Sequence, residues 1–129
     1  MSGSSIYVRR ADCRRHDTPI SLVVIEADQL TPDERTALAL LTSRVPTAPL
    51  SRPKQGDLAR LCQEHDCALD RTAVIATTPQ GLPLLLEASV SLTLRGAGYE
   101  NEAAADMVFK PRSSGGLAAA IEYACRLVA

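Results

Sequence analysis

The chain has 129 residues, the size of one domain, and 46% of them are hydrophobic, which is enough for a core. Aromatic residues make up only 3%, so that core must be built from Leu, Val, Ile and Ala. With 14 basic and 15 acidic side chains the formal net charge is -1, which gives no electrostatic case for nucleic acid or a membrane surface as the main partner. No apolar run approaches the ~20 residues of a membrane helix. No signal-peptide core follows the polar Met1 to Ser5, so the cytoplasm is the default location. Four cysteines (Cys13, Cys62, Cys67, Cys125) in such a chain read as free thiols rather than a disulfide framework.

In chain order, residues 1–19 read as an N-terminal arm. It has a short edge strand around Ile6-Tyr7-Val8 and a basic cluster of Arg9, Arg10, Arg14 and Arg15 interrupted by Asp12 and Asp17. Residues 20–129 read as one domain. Ile20 to Ile25 is a short β-branched apolar run, the pattern of a buried parallel strand. Thr31-Pro32-Asp33-Glu34 is a helix start, with Thr31 as cap, Pro32 in the first turn and Glu34 returning a capping-box hydrogen bond. That helix is expected to run to about Ser43, because Pro46 and Pro49 forbid its continuation. Thr47 to Leu50 reads as a second short strand.

Pro53 to Asp57 opens another helix, with Leu58, Leu61 and Cys62 on one face and an end near His65 and Asp66. Thr72 to Ala76 is the next strand. Gly81 to Ala88 is a short helix that tolerates Pro83 only in its first turn. Val90 to Leu94 is a strand, Gly96-Ala97-Gly98 a turn, Asn101 to Ala105 a helical turn, and Met107 to Phe109 a last strand. Leu117 to Val128 is the final helix, with Leu117, Ile121, Ala124, Cys125 and Val128 in one stripe. Alternating strands and helices imply an α/β fold with a mostly parallel sheet in a Rossmann-like three-layer sandwich. Ligands in such folds bind beyond the carboxyl ends of the strands, here Glu26, Ser51, Ala76-Thr77 and Leu94-Arg95.

Two further patterns are candidate sites. Cys62-Gln63-Glu64-His65 and Cys13-Arg14-Arg15-His16, with Cys67 nearby, have spacings that zinc can use. Against that, Cys62 falls on an apolar helix face and His65 near a helix end, so packing is the simpler reading. Gly96-Ala97-Gly98 and Gly115-Gly116 lack the full phosphate-loop fingerprint and read as turns.

The stretch from Val74-Ile75-Ala76-Thr77-Thr78-Pro79-Gln80-Gly81-Leu82-Pro83-Leu84-Leu85 to Ala105-Asp106-Met107-Val108-Phe109 and the Gly115-Gly116 turn resembles the C-terminal half of haloacid dehalogenase (HAD) superfamily phosphatases. Its tail is similar to the ending of the capless sugar-acid type, such as KDO-phosphate phosphatase and the HAD-like domain of sialic-acid cytidylyltransferases, and capped sugar phosphatases and P-type ATPases share the Ala-Ala-Asp-Met-Val type of strand. The resemblance implies a nucleophilic Asp at the position of Glu26 and a general acid–base at Asp28. It implies a phosphoryl-holding Ser or Thr at Ser51, Thr47 or the Thr42-Ser43-Arg44 stretch, and a phosphate-neutralising Lys at Lys54. The metal-binding aspartates of the family fall on Thr77 and Gly81, where this chain has no carboxylate. Glutamate is one methylene longer than aspartate, and a misplacement of about an ångström costs roughly a hundredfold in such chemistry. The gap from Asp28 to Lys54 is shorter than in ordinary capless members, which implies an abbreviated core without a cap.

These departures imply a catalytically inactive HAD-like domain acting as an oligomerisation, regulatory or partner-binding module. A homodimer or homotetramer is the assembly implied by capless relatives, and an enzyme of a biosynthetic pathway a possible partner. The expected cofactor is none. One alternative is a weak or altered magnesium-dependent phosphatase using Asp28 and Lys54, with Glu26 as a surrogate metal ligand and a sugar phosphate or other small phosphomonoester as substrate. The other is a metal-independent phosphate or sugar-phosphate binding module using Lys54, Ser51 and the hydroxyls of Thr77 and Thr78.

Overall fold

The structure is a computed structural model that describes the backbone of Ile6–Arg9 and residues 19–128. The Arg10–Arg15 part of the basic cluster, and the Cys13 to His16 pair, lie outside the described residues.

Six strands form one sheet: β1 (Ile6–Arg9), β2 (Leu22–Glu26), β3 (Thr47–Pro49), β4 (Thr72–Ala76), β5 (Val90–Leu94) and β6 (Met107–Phe109). Their spatial order is β1-β6-β5-β4-β2-β3. The last five are mutually parallel, and β1 pairs antiparallel with β6 at one edge. Five helices join them: α1 (Pro32–Thr42), α2 (Asp57–Glu64), α3 (Leu82–Glu87), α4 (Tyr99–Ala104) and α5 (Gly116–Leu127). Among the described residues, no helix is long and apolar enough to cross a membrane.

The three layers follow from strand alternation. Val23, Ile25, Ala73 and Ile75 face one side and pack with Ala37 and Leu41 of α1 and with Leu117 and Ile121 of α5. Leu22, Val24, Val74 and Ala76 face the other side and pack with Leu58, Leu61 and Cys62 of α2 and with Leu84 and Leu85 of α3. Both faces of the central strands are therefore dry, which is why β2 and β4 carry near-continuous apolar runs. Strand β5 instead alternates Val90, Leu92 and Leu94 with Ser91 and Thr93, whose buried hydroxyls are hydrogen-bonded to the Asp106 N–H and the Ala76 carbonyl. Phe109 is fully buried and meets Tyr123 of α5 with ring centroids 5.7 Å apart.

Several boundaries differ from the sequence reading. Strand β2 starts at Leu22, and Ile20 makes only an isolated bridge to Val128 beside the end of α5. Helix α4 begins at Tyr99, directly after Gly98, whose φ of 135° is open to glycine. A 3-10 turn over Pro79–Gly81 precedes α3. Helix α5 starts at Gly116, where a Cβ would stand 1.8 Å from the Lys110 carbonyl oxygen, so only glycine allows this close approach. Between Asp28 and Lys54 the chain holds α1 and β3 and no inserted domain. Strand β3 is the other edge of the sheet, and it pairs with β2 through Val23↔Thr47, Val24↔Ala48 and Ile25↔Pro49.

Helix α1 has the expected start. The Thr31 N–H donates to Glu34 Oε1 at 2.9 Å and the Glu34 N–H to Thr31 Oγ1 at 3.2 Å. The capping glutamate has a second role that the capping pattern does not announce. Its carboxylate is 3% exposed and accepts a two-pronged guanidinium from Arg112, with Nε to Oε2 at 3.0 Å and Nη2 to Oε1 at 2.8 Å. Arg112 Nη2 also donates to the Gln29 carbonyl. One side chain thus ties the loop after β2 to the turn after β6. The Arg112 hydrogen bonds outweigh burial and hold the Glu34 carboxyl below its ordinary value.

Arg112→Ala would strand a buried carboxylate. A loss of about 2–4 kcal/mol is expected by urea denaturation at pH 7. Because the folded-state value is depressed, the pair stabilises above the ordinary glutamate value of about 4.3, and its contribution fades as pH falls through the folded value. The variant's deficit should therefore shrink in acid, which parallel denaturation series at pH 7 and pH 3 will measure.

Candidate functional site

The parallel strands deliver Glu26, the β3–α2 loop and the Thr77-Thr78 segment to one edge of the sheet. There they line a polar cleft of about 550 Å³ with Glu26, Asp28, Ser51, Arg52, Thr78 and Gln80. This is the edge where α/β folds place ligands.

Glu26 closes β2 and stands opposite Ala76 of β4. Continuing the alternation of Leu22 and Val24, its side chain heads towards the start of α3 rather than open solvent, and it is 3% exposed. The next segment of chain wraps it. Oε1 accepts from the backbone N–H of Thr77 at 2.8 Å and of Thr78 at 3.0 Å, and Oε2 accepts from the Thr78 hydroxyl at 2.7 Å. The Thr77 hydroxyl donates back to the Glu26 carbonyl at 2.9 Å. The Thr78 hydroxyl in turn accepts from the Gln80 N–H at 3.3 Å, and the Thr78 carbonyl accepts from buried Asn101 at 2.7 Å. Both carboxylate oxygens have donors, which is the condition for burying a carboxylate at this depth.

Gly81 completes the enclosure. A Cβ built there would lie 2.5 Å from the Ala76 Cβ and 2.8 Å from Glu26 Oε1. An aspartate at this position has no room for its first carbon, and its charge would fall beside Glu26. The lack of a carboxylate at Gly81 and the longer acid at residue 26 are thus two halves of one packing arrangement.

Of the residues expected from sequence, Glu26, Asp28 and Ser51 share the cleft. Thr77 lies behind it as a clamp on Glu26, and Gly81 is buried against Ala76 and Glu26 without lining the cleft. The open choice for the hydroxyl resolves geometrically: Ser51 lines the cleft, whereas Thr42 and Thr47 hydrogen-bond to each other at 3.0 Å and Ser43 donates to the Leu40 carbonyl. Lys54 is exposed and is not part of the cleft wall; its backbone N–H donates to Asp57 Oδ2 at 2.8 Å, a turn that precedes α2. The basic residue in the cleft is Arg52, two positions earlier. Its φ of 51° is uncommon outside glycine. Sequence reasoning passed over Arg52, Gln80 and the brace residue Arg112. The Arg-Pro step at Arg52-Pro53 was the available signal, since a proline restricts the residue before it.

A magnesium ion needs a near-octahedral set of oxygen ligands, usually with one or two carboxylates. Glu26 Oε1 accepts two N–H groups and Oε2 one hydroxyl, Asp28 is the other carboxylate of the cleft, and the Thr77–Gly81 segment adds none. No group of three or more Cys, His, Asp or Glu that could hold a metal occurs among the described residues, which also applies to Cys62, His65 and Cys67. The donor set lacks the acidic loop that holds magnesium in the family the sequence resembles.

No protein-family model matches the chain, and no curated protein matches it. Solved structures do. The 3-deoxy-D-manno-octulosonate 8-phosphate phosphatase of Yersinia pestis superposes with a TM-score of 0.61 at 15% identity, over 84% of this chain and 80% of that one. The same enzyme from Moraxella catarrhalis, in complex with magnesium, phosphate and KDO, gives 0.60 at 13% identity, over 84% and 87%. The cobalt-bound form from Haemophilus influenzae gives 0.56 at 14%, over 84% and 90%. The fold is HAD-like. At such identities the likeness extends to the scaffold, and the HAD-like chain must be judged on its own cleft residues.

Two substitutions test the enclosure. Gly81→Ala should destabilise by about 1–3 kcal/mol or more through overpacking against Ala76 and Glu26. Glu26→Ala should cost about 2–4 kcal/mol by leaving two N–H groups and a hydroxyl without acceptors. Thermal and urea melts read both, and a neutral Glu26→Ala would mean that the clamp is not structural.

Proposed function

We propose that this HAD-like protein does not hydrolyse phosphate esters and acts as a binding module through its surface. The observation that carries the reading is the clamp on Glu26. A nucleophile must present a lone pair in line with an incoming phosphorus, and the residue in the nucleophile position is buried with both oxygens oriented by donors from Thr77 and Thr78, which supports a structural role. Charge neutralisation is also missing, because phosphoryl transfer depends on electrostatic stabilisation of spreading negative charge and the donor set is unsuited to the metal that would supply it. The cleft retains groups that suit holding an anion: the Ser51 hydroxyl, the Arg52 guanidinium and the Gln80 amide. Exposed Leu86 on α3 and Tyr99 on α4, two helices in contact, supply apolar area for a protein partner or a second copy.

The decisive measurement is hydrolysis of p-nitrophenyl phosphate with and without millimolar magnesium. The expected rate is indistinguishable from that of the Asp28→Asn variant under both conditions. Magnesium-dependent turnover abolished by Asp28→Asn would overturn the proposal in favour of a weak phosphatase. The surface role is read by molar mass from light scattering. A mass above one chain that falls to one chain in Leu86→Glu or Tyr99→Glu is the expected result if the module self-associates, and a single-chain mass in the parent protein directs the search to a different partner.

A further inference from the structure

Helix α2 ends in a backbone closure that places two cysteines together. His65 caps the helix, Asp66 adopts φ 51°, the Asp66 N–H donates to the Gln63 carbonyl at 3.3 Å, and the Cys67 N–H donates to the Cys62 carbonyl at 2.9 Å. These are the paired reversed bonds of a Schellman closure, with Cys62 at its third-last helical position and Cys67 just beyond the turn. That motif brings these two side chains into contact, and in most helices the contact is a hydrophobic pair. Here it is a pair of thiols. Cys62 is 6% exposed within the α2–α3 side of the core, and Cys67 is half-buried and packed against that same cluster. Burial pushes the Cys62 thiol up, and the neighbouring Cys67 thiol adds to the effect through charge and a side-chain hydrogen bond. Ser21 Oγ lies 3.1 Å from Cys67 Sγ on its other side.

We propose that Cys62 and Cys67 form a redox-responsive pair that closes reversibly to an intramolecular disulfide across the end of α2. A disulfide spans α-carbons about 4.4–6.8 Å apart, and the 2.9 Å bond from the Cys67 N–H to the Cys62 carbonyl keeps the two backbones close enough for it. The oxidant class is a low-molecular-weight disulfide. The half-buried Cys67, as thiolate, attacks one sulfur of the oxidant and releases the other as a thiol, forming a mixed disulfide. Cys62 then loses its proton and attacks Cys67 Sγ, which breaks the mixed disulfide and releases the second small thiol. The two protein thiols are oxidised and one small disulfide is reduced to two thiols, so electrons and protons balance. Cys125 lies buried among the α1–α5 side chains on the opposite face of the sheet and takes no part.

The chain offers a direct readout. Arg60 and Arg71 flank the pair with no Lys or Arg between them, so trypsin releases Leu61–Arg71 as one peptide carrying both cysteines. The intact protein is equilibrated with mixtures of oxidised and reduced glutathione, alkylated, digested and weighed. The expected product is that peptide lighter by two hydrogens and unalkylated, converting back on reduction. In Cys62→Ser the expected product is a glutathione adduct trapped on Cys67. Recovery of parent protein with Cys67 held as the glutathione adduct, or with both thiols still alkylated at glutathione ratios that oxidise ordinary dithiols, overturns the pair. Since either variant can disturb folding, the parent protein is also titrated in urea. The native fold should favour closure by about tenfold or more over the unfolded chain, and equal closure in both would overturn the claim that the helix end pre-arranges the thiols.

Discussion

A carboxylate buried at the end of a central strand is the constraint around which the rest of this site is arranged. Isolated, an ionised Glu26 would be costly at that depth, and its energy is recovered only if donors surround it. The donors come from the segment that follows β4, which must therefore turn sharply towards β2 after Ala76. That turn sets where Pro79–Gly81 begins, requires a glycine at residue 81, and brings the Thr78 carbonyl within reach of Asn101. Strand pairing, loop course and residue choice across three elements all answer to one side chain. In a metal-dependent enzyme, a cation bridging these two strand ends would provide a comparable link. Here hydrogen bonds provide it, so the loop is ordered by its own sequence.

The Arg112–Glu34 brace works on the same edge in another way. The loop carrying Asp28 leaves β2 and would otherwise be restrained only by its two ends. The capping glutamate of α1 anchors its far end, and Arg112 pins both that glutamate and the Gln29 carbonyl to the turn after β6. The cleft is consequently framed by fixed loops. A guanidinium suits this post because its planar fork satisfies a carboxylate and a carbonyl at once.

Most of the architecture was legible in the sequence because the signals were local. The Thr31-Pro32-Asp33-Glu34 cap, the β-branched runs of β2 and β4 and the stripe of α5 each carry their own evidence, and alternation of elements orders them. The alternation also placed Glu26, Ser51 and Thr77 at one edge of the sheet, which is where the structure has them. What escaped was non-local. Nothing near Arg112 in the chain indicates Glu34, which lies 78 positions away. That Arg52 rather than Lys54 lines the cleft depends on the course of the loop after β3, which no local pattern fixes. The meaning of Gly81 depended on Ala76 and Glu26 meeting in space, so the sequence showed only a missing acid where the structure shows an occupied volume.

The short outer strand β3 also governs how such molecules behave at high concentration. The Leu50 N–H bonds to the Ile25 carbonyl, so the alternate positions Thr47 and Pro49 turn their backbones away from the sheet. Proline has no N–H to offer on that side, and the strand is only three residues long. An approaching extended chain therefore finds a single outward donor, too little to nucleate strand addition. The β3 margin is therefore a poor place for a backbone ladder between copies, and side-chain contacts are favoured there.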